Sequence, residues 1–131
     1  MTNATVNLLY SEEHEWVLQL DGNRVRIGIS DYAQKQLGDI VFVENPAVDD
    51  EITANESMGT IESVKAVSEL YAPVSGSVIC VNEELNDTPE TINENPYEAG
   101  WLIEVEISNP GELESLLNEN EYKAFISEGE E

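Results

Sequence analysis

Ser57-Met58-Gly59-Thr60-Ile61-Glu62-Ser63-Val64-Lys65-Ala66-Val67-Ser68-Glu69-Leu70-Tyr71-Ala72 is the stretch that decides how this chain folds. It divides into two strand-like runs, 57–64 and 67–72, with Ile61 and Ser63 leading up to a short break and Val67 and Glu69 leading away from it. Two such runs about so short a break predict a tight hairpin with Lys65 at its turn. Lys65 is one of only five cationic side chains in a chain with 28 carboxylates, and its neighbours Val64 and Ala66 are small and apolar. A lysine on a tight turn held by strands suits modification by an enzyme, because the amine can be reached from outside and the frame around it is fixed. Spacing alone leaves this reading open beside an ordinary solvated lysine.

Moving toward the N-terminus, Ile40-Val41-Phe42-Val43 is an apolar run that predicts a buried strand. Before it, residues 30–37 predict a short helix. Ser30 or Asp31 can cap it, Tyr32, Ala33 and Leu37 form its apolar stripe, and Gly38 stops it. Trp16, Leu18 and Leu20 alternate up to Asp21-Gly22, and Val25, Ile27 and Ile29 alternate beyond it, a strong hairpin signal that leaves Arg24 and Arg26 on the wetter face. Between the apolar run and the lysine hairpin, residues 45–55 read as an acidic connection with a short strand around Ile52.

Toward the C-terminus, Ala72-Pro73-Val74-Ser75-Gly76 predicts a turn into a strand at 77–81. Residues 82–100, with Pro89 and Pro96, predict a long irregular loop. Trp101, Ile103, Val105 and Ile107 then alternate as a half-buried strand. Asn109-Pro110-Gly111-Glu112 predicts a helix start, with Leu113, Leu116 and Leu117 on one face, and Tyr122, Phe125 and Ile126 supply a further apolar stripe. The sum is a mainly β fold with short helices, two small sheets forming a sandwich or flattened barrel, and C-terminal helices. The length suits a single domain, 1–131, with a core at about 5–126 and an acidic tail at 127–131.

A formal charge of −23 repels nucleic acid and anionic lipid and favours partners with basic docking surfaces; adaptation to a salty interior explains it equally well. No segment approaches the length of a membrane span, and no signal peptide is apparent, so the expected location is the cytoplasm. Cys80 is the sole cysteine; no intrachain disulfide can form, and its apolar surroundings predict a buried small hydrophobe. His14, flanked by Glu12, Glu13 and Glu15, reads as a lone surface histidine rather than a cation ligand. No nucleophile–base pair, phosphate loop or metal-ligand spacing stands out, which argues against an enzyme.

Gly59-Thr60-Ile61-Glu62-Ser63-Val64-Lys65-Ala66 resembles the lipoylation motif of the glycine cleavage system H-protein family. The likeness continues through Tyr10 with His14-Glu15-Trp16, Ile27–Ala33, Leu37–Val43, Tyr71–Gly76, Val81-Asn82-Glu83, Asn95-Pro96-Tyr97, Gly100-Trp101-Leu102, the segment from Glu112 to Leu117, and Tyr122. It departs at Glu104, where the family commonly has lysine, and at Asp49, where a turn glycine is common.

The resemblance implies a lipoyl-domain-like fold and a non-catalytic carrier with lipoate in amide linkage to Lys65. It further implies three partner enzymes: the pyridoxal-phosphate-dependent glycine decarboxylase, the tetrahydrofolate-dependent aminomethyltransferase and dihydrolipoyl dehydrogenase. The carrier shuttles the aminomethyl group of glycine between the first two and is reoxidised by the third. Lipoate-attaching enzymes are implied as well, and Glu15 and Glu69 are the matching candidates to line a cleft for the loaded arm. A monomer is expected. The alternative is a lipoate-relay or regulatory protein of the same fold.

Overall fold

The computed structural model describes residues 8–20 and 22–129. Its strands are β1 (Leu8–Tyr10), β2 (Glu15–Gln19), β3 (Arg24–Ile29), β4 (Ile40–Glu44), β5 (Glu51–Ile52), β6 (Ser57–Ser63), β7 (Val67–Tyr71), β8 (Gly76–Val81) and β9 (Ile103–Ile107). Helix α1 (Asp31–Leu37) follows β3, α2 (Thr91–Glu94) lies between β8 and β9, and α3 (Glu119–Gly129) ends the described chain. The strands form two antiparallel sheets, a six-stranded one in the order β1-β2-β3-β9-β8-β5 and a three-stranded one in the order β4-β6-β7. This is the expected mainly β, two-sheet architecture.

The main core fills the space between the sheets. Val17, Ile27, Val78 and Val105 come from the large sheet and Val43, Ile61 and Leu70 from the small one, all nearly inaccessible. Because side chains alternate across a strand, the opposite face of β1 and β2 carries Leu8, Tyr10 and Trp16, which pack with Tyr122 of α3 in a second cluster. Trp16 is opposite Gly28 on β3, and a Cβ at Gly28 would stand 2.5 Å from the indole ring. The ring therefore needs glycine there, and its Nε1–H donates to the Pro96 carbonyl at 3.0 Å.

The hairpin turn predicted at Asp21-Gly22 falls partly outside the described residues; Gly22 has φ 57°, but β2 and β3 pair one residue out of the register a two-residue turn gives, Leu18 with Arg26 and Val17 with Ile27, so Trp16 and Leu18 lie on the face opposite Val25 and Ile27. Residues 5–7 of the expected core and 130–131 of the expected tail also lie outside them, while α3 continues through Gly129. Asp49 sits at φ 79°, the left-handed region where glycine is the favoured residue. Glu104 accepts two hydrogen bonds from Arg26, at 3.0 and 2.8 Å, and the guanidinium lies 5.1 Å from the centroid of Trp101. That pairing half-buries Arg26.

Five further expectations need correction. The strand at 40–43 is not uniformly buried: Ile40 and Val43 face the core while Val41 and Phe42 are exposed, because a bulge opens between Ile40 and Phe42. The stretch at 82–100 is not an irregular loop. It holds a 3₁₀ turn at Glu83–Asn86 and helix α2, pinned by the buried Leu85 and Ile92. The helix expected after Asn109 is a 3₁₀ turn, Pro110–Ser115; Leu116 is already extended and Leu117 pairs with Tyr10 through both backbone groups. Cys80 is exposed, since a register shift between Val78 and Cys80 disturbs the inward alternation on β8. His14 is half-buried rather than a lone surface residue.

Candidate functional site

Lys65 projects from the turn between β6 and β7, and Ser63 fixes that turn. Its backbone N–H donates to the Ala66 carbonyl at 2.8 Å, while its hydroxyl oxygen accepts from the N–H groups of Lys65 and Ala66 at 3.1 and 3.2 Å. The N–H of Val64 donates to the Asp39 carbonyl at 2.9 Å, tying the turn to the loop before β4. Lys35 and Lys123 each pair with a carboxylate one helical turn away, Asp31 and Glu119. Lys65 has no carboxylate partner among the described residues, and its Nζ lies 3.5 Å from the Gln36 carbonyl near the end of α1.

Helix α1 is placed to meet that lysine. Ser30 caps it by accepting from the Ala33 N–H at 3.1 Å, and Gly38 ends it at φ 82°. A Cβ at Gly38 would come within 3.1 Å of Lys65 Cε, so glycine both stops the helix and leaves room for the lysine stem. Asn93 of α2 holds this corner. Its amide donates to Gln34 and to the Gly38 carbonyl, and its carbonyl oxygen accepts from the Ile40 N–H, each at 2.9 Å.

Between α1 and β7 runs a cleft of about 400 Å³. Ile29, Ala33, Leu37, Ile61 and Leu70 give it an apolar wall, Gln36 stands in its lining, and Glu15 and Glu69 both reach it. The structure thus brings the two predicted carboxylates to one cleft, beside the helix end that Lys65 touches. They differ sharply in setting. Glu69 is exposed on β7, whereas Glu15 is only 2% exposed. The Ser11 hydroxyl donates to one Glu15 oxygen at 2.7 Å and the Tyr71 N–H to the other at 3.1 Å. Those donors favour the carboxylate, but burial without a cation outweighs them and pushes the Glu15 carboxyl up to about 8.

Sequence reasoning missed the supporting residues. His14, at φ 74°, lines the same cleft, and its Nδ1 lies 2.8 Å from the Tyr122 hydroxyl, which is 2.7 Å from Ser30 Oγ. Burial lowers the pKa of His14, so the ring is neutral near pH 7, and burial pushes the Tyr122 phenol up to about 12. With Ser30 Oγ accepting from Ala33, a consistent chain runs from the serine hydroxyl to the tyrosine to the imidazole. The residues of this chain lie far apart in sequence, and Ser11 has only its spacing from Glu15 to mark it. No spacing signal could have grouped His14, Ser30 and Tyr122.

A strand-rich domain that displays a lysine on a fixed hairpin beside a carboxylate-bearing cleft has the form of a carrier module. The family model described as glycine cleavage H-protein matches residues 8–129, and the chain belongs to that family. A glycine cleavage system H protein from Halalkalibacterium halodurans is 59% identical over 128 residues, covering 98% of this chain and 99% of the relative. One from a Geobacillus species is 58% identical over 127 residues, covering 97% and 99%. The crystal structure of a glycine cleavage system H protein from Mycobacterium marinum superposes with a TM-score of 0.85 at 40% identity, covering 93% of this chain and 98% of that one. Among the described residues no helix is long and apolar enough to cross a membrane, and no cluster of three or more potential ligands could hold a metal ion.

Proposed function

We infer that this protein is the lipoyl carrier of a cytoplasmic glycine cleavage system, non-catalytic in itself, with lipoate attached to Lys65. The observation that carries the reading is the pairing of an exposed lysine, without a carboxylate partner among the described residues, on a hydrogen-bonded turn with the adjoining cleft. The residues present fit the group. Ile29, Ala33, Leu37, Ile61 and Leu70 offer an apolar wall to a hydrocarbon arm, and Glu15 and Glu69 offer carboxylates to a cationic cargo. Lys65 would hold lipoate, which when attached would supply a disulfide–dithiol couple suited to carrying the aminomethyl group of glycine between the decarboxylase and the aminomethyltransferase, with dihydrolipoyl dehydrogenase as the partner for its redox chemistry.

The chain's own residues do the rest. Ser63 holds the turn, so one arm tethered at Lys65 is presented to several partners from a fixed point at high effective concentration. The cleft walls exclude water from cargo that would otherwise hydrolyse. Near pH 7 Glu15 holds a proton on its carboxyl; a cationic amine beside it favours the carboxylate, which releases that proton and forms a charge-assisted hydrogen bond. Glu69 contributes its charge at the cleft rim.

The lifetime of the loaded protein tests the cleft assignment. Glu15→Ala and Glu69→Ala should both shorten it, Glu15→Ala more, and unchanged lifetimes in both would remove these carboxylates from the account. Glycine–bicarbonate exchange with the purified partner enzymes tests the carrier role itself.

A further inference from the structure

Six large apolar side chains are exposed among the described residues, and four of them lie on the lysine hairpin or on β4, the strand paired with it: Val41, Phe42, Val64 and Val67, between 46% and 67% accessible. Their grouping is built by strand register. Phe42 pairs with Glu62 and Glu62 with Val67, so the three stand in one row on the outer face of the small sheet, about 5 Å apart at each step. The bulge in β4 leaves Val41 as the extra residue between Ile40, opposite Ser63, and Phe42, opposite Glu62, and both Val41 and Phe42 are exposed. Val64 adjoins the lysine itself, and its backbone bond to Asp39 draws the start of β4 toward the turn. A fifth exposed residue, Val48, shares with Phe42 a groove of about 500 Å³ that extends the patch.

The rim is acidic. Asp39, Glu44 and Glu69 are exposed around the patch and Glu62 is half-buried within it, in a chain of net charge −23. Such a surface complements an apolar recess ringed by lysine and arginine.

We propose that Val41, Phe42, Val64 and Val67 form the docking face for the enzyme that acylates Lys65, a partner presenting an apolar recess with a basic rim. This rests on the assignment of Lys65 above. The geometry selects this partner over those that act later. Before acylation only the four-carbon lysine stem separates Nζ from the turn, so the acylating enzyme must cover the surface immediately beside it. In that step Nζ attacks an activated lipoyl carbonyl held by the partner, the amide forms, the activating group leaves with the bonding pair and Nζ gives up a proton. Enzymes acting on the finished arm reach it from farther away.

The test is kinetic, with unmodified full-length protein, lipoate, ATP and a purified lipoate–protein ligase, product being followed by intact mass. Val41→Ser/Phe42→Ser should raise KM about tenfold or more with kcat nearly unchanged. Val67→Thr should raise KM severalfold, and Glu62→Lys should raise it and flatten its dependence on salt. Thermal unfolding midpoints should match wild type, since these side chains are exposed; a variant with a lowered midpoint is replaced in the comparison by Val67→Thr, which keeps a β-branched residue in the strand. Unchanged KM in all variants, with wild type still acylated at Lys65, overturns the docking face alone. Failure of wild type to be acylated at Lys65 overturns the assignment beneath it. A wild-type dimer by sedimentation that dissociates in Val41→Ser/Phe42→Ser would give the patch to a second copy of this chain and also overturn the proposal.

Discussion

Two regions of the molecule, the aromatic cluster against α3 and the lysine hairpin, use side chains in opposite ways. At the α3 end, Tyr10, Trp16 and Tyr122 are almost fully buried, Tyr10 and Tyr122 stack with ring centroids 4.2 Å apart, and the polar tips of His14, Ser30 and Tyr122 satisfy one another. At the hairpin end, Val41, Phe42, Val64, Lys65 and Val67 stand in solvent, and only the backbone and Ser63 are tightly held. The first region is packed on all sides, while the second turns these side chains to solvent from strands whose other face, with Ile61 and Leu70, belongs to the main core. Glu15 lies between them: as buried as the aromatic cluster, yet opening on the cleft beside the lysine.

Substitutions can break this division or sharpen it. Trp16→Ala should have the largest effect on stability, lowering it by about 3–5 kcal/mol through the cavity it leaves. Urea unfolding measures that loss, and a loss under about 1 kcal/mol would show that the packing of the aromatic cluster contributes little to stability.

Glu15→Gln should come next, with an effect that grows with pH. The Glu15 carboxyl titrates at about 8 when folded against an ordinary value of 4.5, so below 4.5 both folded and unfolded chains hold the proton. As pH rises from 4.5 to 8 the unfolded chain releases it first, and wild type loses stability relative to Glu15→Gln by up to about 1.4 kcal/mol per pH unit. Above pH 8 the difference levels off. Unfolding both proteins at pH 5, 6.5 and 8 reads the divergence directly; parallel stabilities across that range would mean that Glu15 is ionised in the fold.

Tyr122→Phe should cost about 1–2 kcal/mol, because it strips a partner from both His14 Nδ1 and Ser30 Oγ. Acylation of Lys65 should be unaffected, which separates the two ends in a single variant. Glu69→Gln should be the mildest, within about 0.5 kcal/mol of wild type in stability because the side chain is exposed. Its effect should show instead as a shorter lifetime of the loaded protein.

How much of this was legible in the sequence depended on whether a feature was local. The lysine hairpin, the existence though not the register of the β2–β3 hairpin, and α1 with its Ser30 cap and Gly38 stop were readable, because alternation, capping residues and turn residues act over a few positions. The ordered likeness from Tyr10 onward pointed to the family that the comparisons show. What escaped depended on register or on distant partners. Apolar Val41 and Phe42 read as buried because nothing in four consecutive apolar residues announces a bulge. Helix α2 hid in a polar, proline-punctuated stretch, since its anchor is the single buried Ile92 and its role is to present Asn93 to α1. Glu15 was chosen by likeness alone; the burial that gives it an unusual proton affinity comes from the packing around Ser11 and Tyr71.

The central claim concerns one amine among three lysines, and intact mass with fragment mapping tests it most directly. Wild type produced in a host competent for lipoylation should carry a single lipoyl increment, mapped to Lys65 and lost completely in Lys65→Arg. An increment retained in Lys65→Arg, or mapped to Lys35 or Lys123, would contradict the account.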